Sequence, residues 1–483
     1  MSDMTKASKL VLAAATSVLL LAACSDFLKG PGLDTNPNKP VTATGQQLWV
    51  GAQVAMMAQW ENYPFMLFTM WAGGISGVNR QWQTYAQYNS GTDLNAADGA
   101  WNQTFGPGGL RDLRVVEDSA ASQANLNWRG QARVVEALYM GTAADIWGDV
   151  PYTNAGFVAI NPVPTFDTQA AVYAHVLALL DSAIVDLGNP KPADATNTDF
   201  IYGDTAVKWI KAAHTLKARF YMHTARTSAT VYSATALANV MTETALGISD
   251  SIGDFKPSHT TIPGEQNLFY SFQSSRAQDV DPAKTHIDEI KAAGEAVLLV
   301  NWYVANGSQF NGSPAGVAGD QGDSIATFSV ATHSDAEWGF ITFAENQMLR
   351  AEAQYRQGSG GPALTTLNNY RATLDHGNLP SVGALVGVPL LTAILREKFI
   401  HQFFNPEIWN DYLRTCYPNI PLPLAYNASI PYVPARLPVG YTEQSTNPNV
   451  PAQPDGNPGN ANDFKNLFAI DGSACVGQQN RPN

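Results

Sequence analysis

Apolar residues recur at three- and four-residue steps along much of this chain, and that period constrains its fold more than any other feature. From about Thr168 to Leu187 the apolar positions are Val172, Val176, Leu179, Ala183 and Leu187, which fall on one face of an α-helix. A second such run spans about Asp204 to Thr224, with Trp209, Ile210, Ala213, Leu216 and Phe220 on one side. Similar periods predict helices from Gln46 past Tyr63 toward Trp71, and over 123–146, 234–244, 335–356, 362–374 and 388–404. Short turns separate several of these runs, and small residues such as Ala351, Ala353 and Gly358 allow close helix approach. The pattern predicts a mainly α fold, a tetratricopeptide-like helix-hairpin superhelix, although the strict repeat consensus is absent. Three stretches lack the period: the aromatic segment 73–98, the broken middle 250–322, and the chain beyond Pro418, rich in Pro, Asn and Gly. These predict an irregular, loop-rich layer that carries ligand binding. No composition shift divides residues 43–483, so a single domain is expected there.

The N-terminus has a different pattern. Lys6 and Lys9 precede an apolar core from Leu10 to Ala23, which ends in Leu21-Ala22-Ala23-Cys24. Such a core suits a signal peptide and falls short of the roughly 20 apolar residues that span a bilayer. Residues 1–23 are expected to be removed and Cys24 to carry lipid, with 24–42, rich in Gly, Pro and Asn, as a tether. The plainer alternative is an ordinary signal peptide that happens to precede a cysteine. No later segment reads as a membrane span.

The 483 residues are 45% hydrophobic and only 14% charged, with a formal net charge of −13. An acidic chain argues against nucleic acid and anionic lipid headgroups as partners. Besides Cys24 there are only Cys416 and Cys475, which form a disulfide or stay as free thiols. No clustered His/Cys set marks a metal site, and no cofactor is implied. Asp320 and Asp323 in one loop are weak grounds for Ca²⁺. Motifs for zinc proteases, serine hydrolases, P-loops and dinucleotide folds are missing.

Asp26-Phe27-Leu28 after Cys24, Trp147-Gly148-Asp149-Val150-Pro151-Tyr152, and Pro164-Thr165-Phe166-Asp167-Thr168-Gln169 are distinctive segments. Later come Gly203-Asp204 to Arg219, Glu345 with Ala351-Glu352-Ala353, Glu397-Lys398-Phe399, Glu407 through Pro418, and Arg436-Leu437-Pro438 with Glu443 and Asn447. These segments resemble the SusD/RagB family of outer-membrane nutrient-binding lipoproteins, in its second SusD-like branch. Cys416 departs from the branch, which more usually has glycine there. The resemblance implies a non-enzymatic protein of the outer membrane, anchored through Cys24 and facing the exterior. It implies capture of an oligosaccharide or peptide and delivery to a SusC-like TonB-dependent transporter. A surface glycoside hydrolase and a structural helical-repeat lipoprotein are the rivals.

Most of the shared motifs also have structural explanations. Pro151 ends a helix, Asp167 or Thr168 caps the next, and Asp204 caps the one that holds Trp209. Glu345 and Glu352 share a helix face, where buried carboxylates need backbone or Arg partners. Trp409 and Arg414 read as packing and an ion pair. Ligand contacts in the family diverge, so the binding residues are argued from chemistry alone. Trp and Tyr offer flat apolar faces to sugar rings, and amides and guanidinium offer directional hydrogen bonds. The candidate stretch holds Trp71, Asn79, Arg80, Trp82, Gln83, Tyr85 and Tyr88, with Trp302, Tyr303, Asn306 and Phe310 as a second candidate. The competing reading is that these aromatics pack the core.

Overall fold

A computed structural model describes residues 43–451, except 64, 89–93, 158–159, 194, 196–197, 228–230, 318–324, 374–378, 424, 426–432 and 435. The signal segment, Cys24, the tether, Asp320, Asp323 and Cys475 all lie outside the described residues. The chain divides into a short unit, residues 1–47, and a body, residues 48–483.

The helices are α1 (Gly45–Trp60), α2 (Phe65–Trp71), α3 (Arg80–Ala86), α4 (Leu94–Phe105), α5 (Leu110–Ser122) and α6 (Leu126–Trp147). Then come α7 (Gln169–Leu187), α8 (Ala206–His223), α9 (Ala234–Leu246), α10 (Leu268–Arg276), α11 (Lys284–Ala292) and α12 (Ala296–Trp302). The chain continues with α13 (Phe343–Arg356), α14 (Gly360–Arg371), α15 (Gly387–His401), α16 (Glu407–Thr415) and α17 (Tyr441–Thr446). Four short strands, β1 (Ile75–Gly77), β2 (Val280–Pro282), β3 (Tyr303–Val304) and β4 (Thr327–Phe328), and two 3₁₀ turns, Ser251–Gly253 and Ser329–Thr332, accompany them.

Most long helices match the sequence periods, although the run expected from Asp335 is helical only from Phe343 and α5 was not expected, and they pack in succession. α6 lies against α5 and α7, α7 against α8, α8 against α9, and α13 against α9, α14 and α15. Glycine sets the closest approach. A Cβ on Gly141 of α6 would meet the Phe220 ring of α8 at 2.0 Å. Local signals start the helices: Thr168 Oγ1 accepts from Ala171 N at 3.3 Å, and Thr342 Oγ1 accepts from Glu345 N at 3.1 Å. Asp204 does not cap α8. It has a left-handed backbone, φ +66°, and accepts from Gln131 and Lys191. Asp199 instead accepts from Trp209 Nε1 and from the backbone N–H of Ile201, Tyr202 and Asp204.

Other expectations need correcting. The run from Gln46 toward Trp71 is two helices, because a proline at position 64 disfavours helical geometry at Tyr63, the residue before it. The predicted loop 73–98 contains α3 and β1. On length and composition α7 is apolar enough to cross a membrane, contrary to the sequence expectation. Here its Val172, Val176, Leu180 and Ala183 are buried, and it packs between α6 and α8 as a scaffold helix. At Cys416 the backbone is left-handed, φ +56°, and its N–H donates to Tyr412 O at 2.7 Å. The turn usually made with glycine therefore persists with cysteine.

Candidate binding cleft

The two stretches expected to be irregular meet in space, and they hold short helices, α3 in one and α10, α11 and α12 in the other. β1 pairs antiparallel with β2, Ile75 opposite Pro282 and Gly77 opposite Val280. Ser76 Oγ donates to Ser313 O at 2.7 Å, and Ser313 N donates to Pro282 O at 2.9 Å. Gln83 and Gln87 both donate to Gly316 O, at 3.3 and 3.0 Å, which draws α3 onto the same loop. Gly73, at φ +78°, brings the chain within ordinary contact of Thr285 where a side chain would crowd it.

These contacts enclose a cleft of about 310 Å³. Its inner wall is largely small and apolar: Met70, Ala86, Ala283, Pro314, Ala315 and Ile420. Ser76, Tyr88, Thr285, Ser313 and Asn419 add neutral polar groups. Lys284, Asp288 and Glu289 of α11 supply the charges. Those charges are already matched within the protein. Lys284 is paired with Asp288, while Glu289 accepts from Arg396 Nε at 2.7 Å and from the Tyr417 hydroxyl.

The sequence candidates divide between core and surface. Trp71 is 1% exposed, and its Nε1 donates to Tyr85 O at 3.0 Å. Trp82 is 2% exposed and packs on Phe272 at 5.2 Å between ring centroids. Neither presents a ring face outward, because burial of their large apolar area outweighs any role at the surface. Tyr88 is also buried, edge-on to Trp71 at 6.5 Å, yet it lines the cleft. Burial pushes its phenol pKa up, and neighbouring Tyr412 adds to this, so the hydroxyl remains a neutral donor. Its φ of +63° is unusual for a bulky residue, and such strain concentrates at functional sites.

Asn79 accepts from Arg80 N at 2.9 Å at the start of α3. Arg80 is exposed and pairs with buried Asp279 at 3.3 Å. Tyr85 is half-buried beside Tyr63 and Trp82. Trp302 is half-buried against Phe403, and it does not line this cleft. Tyr303 is buried, its hydroxyl 2.6 Å from Nδ1 of His286. Asn419, missed from the sequence, lies one residue past the Glu407-to-Pro418 motif. Its Oδ1 is buried without a hydrogen-bond partner.

The conspicuous acids serve the scaffold. Glu345 takes Arg219 through two oxygens at 2.6 Å each, and Glu352 takes Arg414 and Arg356. Trp409 is fully buried, with Nε1 donating to Pro434 O at 2.8 Å. Among the described residues, two His/acid clusters have metal-ligand chemistry. In one, the His223 ring lies between Asp145 on Nδ1 at 2.9 Å and Glu407 on Nε2 at 2.7 Å. Burial opposes its charge, but the two carboxylates outweigh this and push its pKa up to about 10. The imidazolium itself is the cation there. In the other, the Arg371 guanidinium bridges Glu295 and Glu397.

Residues 37–438 match SusD-like_2, described as starch-binding and associating with the outer membrane. The chain belongs to the SusD-like_2 family. This is a family of non-catalytic binding proteins, consistent with acids locked in ion pairs. The fold is likewise similar to solved SusD structures. A SusD/RagB family protein from Bacteroides thetaiotaomicron aligns with TM-score 0.67 and 20% identity, over 84% of this chain and 95% of that one. A chitin-binding protein aligns with TM-score 0.68 and 18% identity, over 84% and 94%. A chitin-binding SusD homolog from Flavobacterium johnsoniae aligns with TM-score 0.65 and 17% identity, over 89% and 99%. No curated protein matches the chain.

Proposed function

We propose that this SusD-like protein is a cell-surface lipoprotein that captures a neutral oligosaccharide and delivers it to a SusC-like TonB-dependent transporter. Membership of a starch-binding, outer-membrane-associated family carries the reading. Two structurally similar proteins are chitin-binding, and starch and chitin are both uncharged glycans. The cleft between α3, α11 and the Ser313 loop supports this, because its charges are paired internally and leave neutral hydrogen-bonding groups for a ligand. In this reading Tyr88 contacts the ligand directly. Asn79, Trp71 and Trp82 hold the segment in shape, and Arg80, Tyr85 and Trp302 offer outer contacts. Lipid on Cys24 would fix the protein to the outer membrane, with residues 24–42 as a hinge.

Calorimetric titration with malto-oligosaccharides, chito-oligosaccharides and short peptides tests the reading. Binding of at least one glycan without turnover is expected, together with co-purification of a TonB-dependent barrel from native membranes. Glycan hydrolysis, or binding to peptides alone, would refute it.

A further inference from the structure

The cleft is lined by two polar groups for which the described residues supply no hydrogen-bond partner. Tyr88 is 2% exposed, and its hydroxyl has no hydrogen-bond partner among the described residues. Asn419 Oδ1 is a buried acceptor, also unpartnered. Buried polar groups are normally satisfied, and leaving one unpaired is costly. Here a phenolic donor and an amide acceptor line the same cavity, beside methyl and methylene groups of Met70, Ala86, Ala315 and Ile420.

We infer that this cleft reads an acetamido group, so that the captured oligosaccharide carries N-acetylhexosamine units. The inference rests on the capture reading above and narrows its ligand. An acetamido group presents an acceptor carbonyl for Tyr88 Oη–H, a donor N–H for Asn419 Oδ1, and a methyl for the apolar wall. A ring hydroxyl satisfies a donor and an acceptor, but it leaves the apolar wall uncovered. Charged substituents fit poorly, because Lys284 is paired with Asp288 and Glu289 with Arg396. At about 310 Å³ the cavity lies near the lower end of small-molecule sites, roughly 300–1,000 Å³, which suits one substituted sugar unit. The high pKa of the Tyr88 phenol keeps it protonated and donating.

The test compares tri-N-acetylchitotriose with cellotriose, which has the same linkage and a hydroxyl in place of each acetamido group. Chitosan trimer, maltotriose and N-acetyl-Ala-Ala-amide complete the panel. N-acetylchitotriose is expected to bind roughly tenfold or more tighter than cellotriose, because a site built for a hydrogen-bonding group discriminates against its absence. Tyr88→Phe should weaken N-acetylchitotriose roughly three- to tenfold, the effect of one neutral hydrogen bond. It should leave the melting temperature unchanged, since the hydroxyl bonds nothing among the described residues. Asn419→Ala should give a similar loss of affinity.

Equal affinity for N-acetylchitotriose and cellotriose, or unchanged affinity in Tyr88→Phe, would overturn the acetamido assignment. Maltotriose binding under those conditions would leave the capture reading standing. Binding of the peptide amide with no binding of any sugar would overturn both.

Discussion

Gly141 is where two scaffold helices approach most closely, and Gly141→Ala puts that contact to a quantitative test. The added Cβ would lie 2.0 Å from Phe220 Cζ and 2.4 Å from Cε1. Carbon atoms in good contact sit about 3.5–4.0 Å apart, so α6 and α8 must separate by more than an ångström or the buried ring must leave its position. Overpacking of this kind costs about 1–3 kcal/mol, and a clash with a rigid ring belongs at the upper end. Alanine in a helix interior recovers about 1 kcal/mol of propensity, for a net loss of about 2 kcal/mol. Gly51 is the control. It is exposed within α1, and its added Cβ would meet nothing within 4 Å. Gly51→Ala should therefore stabilise by up to about 1 kcal/mol. Urea unfolding of both variants, read as shifts in midpoint at unchanged slope, separates the effects. In the double variant Gly141→Ala/Phe220→Leu, much of the loss should return, giving a favourable coupling energy. If both glycine variants shift the midpoint in the same direction, the close approach of α6 and α8 is refuted.

The pH profile gives a second check. His223 titrates near 6.5 when unfolded but at about 10 in the fold, so its contribution is whole below pH 6.5 and is lost as pH rises through 10. Burial lowers His286 to about 3, so its contribution is present above 6.5 and is lost as pH falls toward 3. Melting temperatures from pH 4 to 10.5 should form a dome with its maximum near 6.5; a profile still rising at pH 10 would contradict the His223 assignment, and one that does not fall from pH 6.5 to 4 would contradict the His286 assignment. Cys416 is disulfide-bonded, and non-reducing peptide mapping should recover it joined to Cys475; alkylation of Cys416 without reductant would exclude the bond.

The long scaffold helices were legible because each buries one face, and a one-sided apolar stripe leaves a period of 3.6 in the sequence. Val172, Val176, Ala183 and Leu187 of α7 illustrate this. The cleft was half legible. The density of aromatic and amide residues from Trp71 to Tyr88 drew attention to a segment that helps line the proposed cleft, but density does not separate a ring packed inward from one presented outward. Trp71 and Trp82 are buried, whereas Tyr88 lines the cleft, so the proposed binding role falls to Tyr88. α3 and β1 are too short for their period to stand out. Lys284, Ser313 and Asn419 reach the site through the pairing of β1 with β2, some 200 residues apart, and through the course of the chain after α16. Only tertiary structure brings such separations together.

The placement of charge ties the scaffold to the site. Arg219, His223, Arg371 and Arg414 are buried in carboxylate pairs between helices distant in sequence. Such pairs contribute little net stability over an apolar core, but losing one partner is severe. They therefore act chiefly to define which helix faces which. The cleft's own charges are paired locally, Lys284 with Asp288 and Glu289 with Arg396, so what it offers an uncharged ligand is neutral donors and acceptors whose desolvation cost is already borne in the fold. A ligand that meets Tyr88 and Asn419 recovers hydrogen bonds without displacing protein partners, and with little reordering of side chains that packing already holds. A chain with only 14% charged residues can thus combine a closely specified helical scaffold with a site for uncharged ligands, because the two draw on different classes of polar group.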